Sequence, residues 1–116
     1  MEVMYEYRSE IIRVIDGDTV VAKIDLGFNV FTVQTLRLSS IDAPEKRGKE
    51  KESGKASMLH LCKLVKMFTP IHVFTEKDKT GKYGRYLARL IGTGLDGAKL
   101  DLNMQMILDG YATRRN

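Results

Sequence analysis

Three carboxylates and two guanidiniums of this 116-residue chain sit where chemistry could use them. Asp18 lies in Ile15-Asp16-Gly17-Asp18-Thr19, Asp42 in Ile41-Asp42-Ala43-Pro44-Glu45, and Glu45 follows three residues on. Each falls where an apolar run meets turn residues. Carboxylates at strand ends of a rigid scaffold can converge on one hard cation such as Ca2+, which takes about six to eight oxygens from carboxylates, carbonyls and water. Such a cation screens phosphate charge and polarises its oxygens. Arg37 and Arg85 are the complement, because a guanidinium grips phosphate oxygens bidentately and stabilises the charge of a pentacoordinate transition state. Lysine would supply the charge without the fork. Taken singly, each residue has a plainer use. Asp-Gly pairs shape tight turns, and a surface arginine commonly makes an ion pair worth about 0–1 kcal/mol. Arg37 and Asp42 are also five positions apart, which puts them on opposite faces of a regular strand. They meet only if the chain bends between them.

The elements that must position these residues can be read from periodicity. Residues Glu6 to Ile15, Thr19 to Leu26 and Val30 to Ile41 read as three strands, the second with Val20, Ala22, Ile24 and Leu26 at period two. Gly27 to Asn29 reads as a hairpin turn. Pro44 stops the third strand, since proline cannot donate to a ladder. After a charged loop from Lys46 to Glu52, a helix is predicted from Ser53 or Gly54 to about Phe68, with Met58, Leu61, Cys62, Val65 and Phe68 on one face. Ile71 to Thr75 is a fourth strand, Glu76 to Gly84 a polar loop, and Arg85 to Ile91 a fifth strand. Asp101 or Asn103 can cap a second helix that ends at Gly110. Three strands, a helix, two strands and a helix make an α+β, mainly β chain. This is the order of a five-stranded OB-fold barrel with a helix after the third strand.

Composition narrows the classes. The length fits a single domain, residues 1–116. Hydrophobic residues are 43% and charged residues 29%, which argues against a disordered chain. No apolar run approaches the ~20 residues of a bilayer span, so no membrane insertion is expected. One cysteine excludes an internal disulfide framework and a multi-thiolate zinc site, and Cys62 among leucines reads as core filler. His60 and His72 form no zinc-hydrolase motif, and Gly92–Gly97 lacks the Lys-Ser/Thr of a Walker loop. The net charge of +4 favours a polyanionic partner. No obligate protein partner is implied, and a monomer is expected. No signal peptide is visible in MEVMYEYRSE, which fits either a protein that stays where it is made or a mature form.

Taken together, Val14-Ile15-Asp16-Gly17-Asp18-Thr19-Val20, Leu36-Arg37-Leu38 with Ile41-Asp42-Ala43-Pro44-Glu45, and Asp78-Lys79-Thr80-Gly81-Lys82-Tyr83-Gly84-Arg85 resemble the thermonuclease (staphylococcal nuclease-like) family in order and interval. Leu102-Asn103 and Asp109-Gly110-Tyr111-Ala112 extend the resemblance, which covers roughly residues 8–115. The resemblance implies an OB barrel and a Ca2+-dependent phosphodiesterase. Such an enzyme cuts the 5′ phosphoester bond of DNA and RNA, leaves 3′-phosphate ends, and would favour single-stranded or frayed substrate. By the same resemblance, Asp18, Asp42 and the Ala43 carbonyl would be metal ligands. Glu45 would be the base or orienter of the attacking water, Arg37 and Arg85 the phosphate clamps, and Lys82 and Tyr83 the holders of a terminal phosphate. Ala43 stands where the family has threonine, so a hydroxyl is lost and the carbonyl kept. The Lys46–Glu52 loop is shorter than in the best-known member, and the chain ends at Asn116, about where that member places aromatics lining its base pocket; weaker mononucleotide binding is the expectation. A barrel that keeps the fold without the chemistry would instead be a non-catalytic nucleic-acid-binding module.

Overall fold

The computed structural model describes residues 5–77 and 86–115. β1 (Tyr5–Asp16), β2 (Thr19–Asp25) and β3 (Phe31–Leu38) form an antiparallel meander. The short β4 (Ile41–Asp42) follows, then a single 3-10 turn at Gly48–Glu50 and helix α1 (Lys51–Met67). β5 (Ile71–Lys77) pairs with β1, and β6 (Tyr86–Thr93) pairs with β5, both antiparallel. β6 also pairs in parallel with β3 through Leu36–Tyr86, Arg37–Leu87 and Leu38–Ala88, which closes a five-stranded OB barrel. β7 (Lys99–Asp101) extends β6, α2 (Leu102–Leu108) follows, and β8 (Thr113–Arg114) pairs with β4.

The barrel closes because period-two apolar residues fill its interior. Val20, Ala22 and Ile24 of β2, Leu36 and Leu38 of β3, Val73 of β5, and Ala88 and Leu90 of β6 are all buried. Leu61, Leu64 and Val65 from α1 and Leu102 and Met106 from α2 join the same core. The β3–β6 ladder of three residue pairs joins the two sides of the sheet and closes it.

The expected order of elements is present, with local differences. The third strand is interrupted: β3 stops at Leu38, Ser40 takes a positive φ of 68°, and the chain resumes as β4. α1 begins at Lys51, before Ser53, because the 3-10 turn feeds directly into it. β7 and β8 are too short to carry a periodic signal. Of the two capping candidates, Asp101 is the cap, accepting from Met104 N at 3.1 Å, whereas Asn103 is buried inside the helix. Cys62 is half-buried at the barrel's margin, outside the core it was expected to fill.

Candidate functional site

Asp18 occupies the turn between β1 and β2, and its side chain is turned inward. Its Oδ1 accepts from Thr19 Oγ1 at 3.0 Å, a local turn bond. Its Oδ2 reaches across the fold, accepting from the Ala43 backbone N–H at 2.9 Å and lying 2.6 Å from Arg37 Nη1. The side chain is only 9% exposed. A carboxylate this buried needs charge-assisted partners, and it finds them on two remote segments.

Arg37 stands opposite Thr19 in the β2–β3 ladder, and this register brings it beside Asp18. Its other terminal nitrogen, Nη2, lies 2.5 Å from Asp42 Oδ1 and donates to the Ile41 carbonyl at 3.2 Å. One guanidinium therefore bridges both aspartates. A regular strand would forbid this meeting; the Ser39–Ser40 bend permits it. Asn103 fixes the bend, its Nδ2 donating to Ser39 O and to Ala88 O at 3.0 Å each. Its Oδ1 accepts from Leu90 N at 3.1 Å. Burial alone would lower the Arg37 pKa, but the hydrogen bonds and charges of Asp18 and then Asp42 outweigh it and raise the value above the ordinary one. The guanidinium is charged at every pH where the fold persists.

Two glycines allow the segments to approach. A Cβ on Gly17 would lie 2.8 Å from the Ala43 and Ser57 Cβ atoms. A Cβ on Gly54, in the first turns of α1, would lie 2.0 Å from the Glu45 carbonyl oxygen. The helix thus presses directly on the backbone that carries Ala43 and Glu45.

Of the residues expected to act together, Asp18, Arg37, Asp42 and Ala43 converge. The contact shown for Ala43 is through its N–H, to Asp18. Glu45 is exposed and makes no hydrogen bond or ion pair with these groups among the described residues. It lines an adjoining hollow with Arg13, Asp16, Lys46 and Arg47. Lys82, Tyr83 and Arg85 lie outside the described residues.

One residue escaped the sequence reading. Arg115 Nη1 lies 3.4 Å from Asp42 Oδ1, held there because β8 pairs with β4 and Arg115 N donates to Ser40 O at 2.8 Å. No pattern in the chain marks a two-residue strand, so only the fold could reveal it. A cleft between α1 and the Gly110–Thr113 segment opens beside Asp42, lined also by Pro44, Ser53 and Tyr111.

The oxygens here are of the type a hard cation takes, and Arg37 already engages both carboxylates. Two carboxylates from separate segments face one positive group, and Asp42 is 51% exposed, open to solvent and ligand. No cluster of three or more His, Cys, Asp or Glu side chains forms among the described residues, so oxygens from backbone and water would complete a metal's shell.

Residues 35–116 match the family model described as staphylococcal nuclease homologue. Protein ParB of Escherichia coli is 35% identical over 82 residues, which are 71% of this chain and 40% of that protein. The chain spans well under half the length of this curated relative.

Proposed function

The chain belongs to the staphylococcal nuclease homologue family, and from that premise we propose that it is a calcium-dependent phosphodiesterase. It hydrolyses the 5′ phosphoester bond of DNA and RNA, leaves 3′-phosphate ends, and prefers single-stranded or frayed substrate. The observation that carries this reading is the bridge of Arg37 between Asp18 and Asp42. A structural ion pair needs one carboxylate. Two of them on one guanidinium, one half-exposed at a cleft, make a site in which charge can be exchanged for a ligand's.

Asp18, Asp42 and the Ala43 carbonyl would hold the metal; when bound, a Ca2+ ion polarises the phosphate and lowers the pKa of water. The chain's own groups do the rest. Arg37 and Arg85 bind the equatorial phosphate oxygens and stabilise the charge that grows there. Glu45 accepts or guides the proton of the attacking water from its solvent-facing loop. Lys82 and Tyr83 hold a terminal phosphate. Arg115 adds positive charge on the exposed side of Asp42. A duplex buries its base faces in its own stack and withholds them from an OB surface, so denatured strands are cut faster.

The test is cleavage of a labelled single strand with Ca2+, Mg2+ or EDTA, followed by analysis of the fragment ends. Ca2+-stimulated cutting that yields 3′-phosphates is expected. Binding without cleavage in any metal would replace this reading with that of a non-catalytic binding module.

A further inference from the structure

A groove of about 860 Å³ runs between β1 and α1, away from the aspartates. Its charged lining is Arg8, Arg13, Lys23 and Lys66 against Glu10 and Asp25, so positive charge predominates. Phe31, 49% exposed, also lines it, with Lys23 Nζ 4.6 Å from the ring centroid. Ser9 lines it too, and its hydroxyl is buried with no hydrogen-bond partner among the described residues. Arg13 and Val14 line both the groove and the hollow that holds Glu45, Lys46 and Arg47, so the two adjoin.

We infer that this groove is an extended subsite for single-stranded nucleic acid. A strand engaged at the aspartates continues past Glu45 and Arg13 and lies between β1 and α1. An apolar lining with an accessible aromatic receives bases, and flanking cations receive phosphates, which is the pairing that grips a single strand without reading its sequence. The inference rests on the nucleic-acid reading above and adds a path and a length dependence to it. Longer strands bind more tightly than dinucleotides, and they do so through residues remote from the aspartates.

Cys62 is the chain's only cysteine, and it is a half-buried residue of this groove. Its alkylation rate therefore reports occupancy independently of cleavage. The probe is a phosphorothioate 12-mer of thymidine, which resists hydrolysis, with Ca2+ present and saturation set by fluorescence anisotropy. Saturating 12-mer should slow Cys62 alkylation severalfold, and a dinucleotide should not. The Arg13→Ala, Lys66→Ala double variant should weaken 12-mer binding about tenfold more than dinucleotide binding and flatten its salt dependence. An unchanged alkylation rate under bound 12-mer overturns the groove and leaves the nuclease reading intact. Protection of Cys62 without cleavage of ordinary DNA keeps the groove and removes the nuclease reading. Failure of the 12-mer to bind overturns both, and protection by polyglutamate alone overturns the inference by making the occupant an acidic peptide.

Discussion

Arg37 Nη1 lies 2.6 Å from Asp18 Oδ2, with side chains 13% and 9% exposed. These charges come from the β1–β2 turn and from β3 and are shielded from water together. The same guanidinium reaches Asp42 on the solvent side. The arrangement neutralises a buried carboxylate and presents a half-exposed one.

Removing Arg37 leaves Asp18 charged and buried. Breaking a buried pair costs about 3–5 kcal/mol, so Arg37→Ala should lower Tm by on the order of 10 °C. Arg37→Lys should recover part of that loss, because an ammonium can face one carboxylate but cannot bridge two. Cleavage should fall about a hundredfold or more in both, as expected for lost transition-state charge stabilisation. Thermal melts beside kcat measurements decide; full activity in Arg37→Lys would mean that the fork is dispensable.

Asn103 satisfies the Leu90 N–H and the Ser39 and Ala88 carbonyls from a buried position. Asn103→Leu leaves the Leu90 N–H and the Ser39 carbonyl without this partner, at about 1–3 kcal/mol per orphaned group before relaxation, while the Ala88 carbonyl keeps the Ser39 N–H at 2.9 Å. The Ser39–Ser40 bend should loosen, parting Asp42 from Arg37. A KM-against-kcat comparison at a temperature where the variant remains folded reads this out: kcat should drop at least tenfold. An unchanged kcat would show that Asn103 serves stability alone.

Gly54 has no room for a side chain. A Cβ there would meet the Glu45 carbonyl oxygen at 2.0 Å and the Lys46 nitrogen at 2.4 Å, both backbone atoms that cannot swing aside. Gly54→Ala should cost about 1–3 kcal/mol by overpacking and displace the loop carrying Glu45. Chemical denaturation measures the first effect and the rate of cleavage the second. Wild-type stability would contradict the close packing of α1 on this loop.

Acid should loosen the clasp between the helices. His60 Nε2 lies 2.7 Å from Asp109 Oδ2, and the His60 ring stacks on Tyr111 at 4.1 Å between centroids. The hydrogen bond from His60, helped by one from Gln105, holds the Asp109 carboxyl below its ordinary pKa. Because the folded value is depressed, this stabilisation is fully present above the unfolded value. It is lost as pH falls below about 4 through the folded pKa. Melts from pH 2 to 6 should show a shallower acid limb for Asp109→Asn than for the wild type. Identical limbs would remove the pair from the acid response.

The chain's own pattern determined the barrel, because alternation in β2 and β6 and helical spacing in α1 are local properties of the residues. It also exposed the acidic and basic positions, since turn-forming Asp-Gly and Asp-Ala-Pro runs are short-range signals. The positive φ of Ser40 and a pair of two-residue strands carry no such signal, and on them depends where Asp42 and Arg115 end up. Asp18 joins the site through the β2–β3 register, which sets its neighbour Thr19 opposite Arg37. The groove along α1, with Cys62 at its side instead of in the core, likewise belongs to the tertiary structure. Local periodicity decides which way a side chain faces along its own element. Only the packing of one segment on another decides which remote charge it meets.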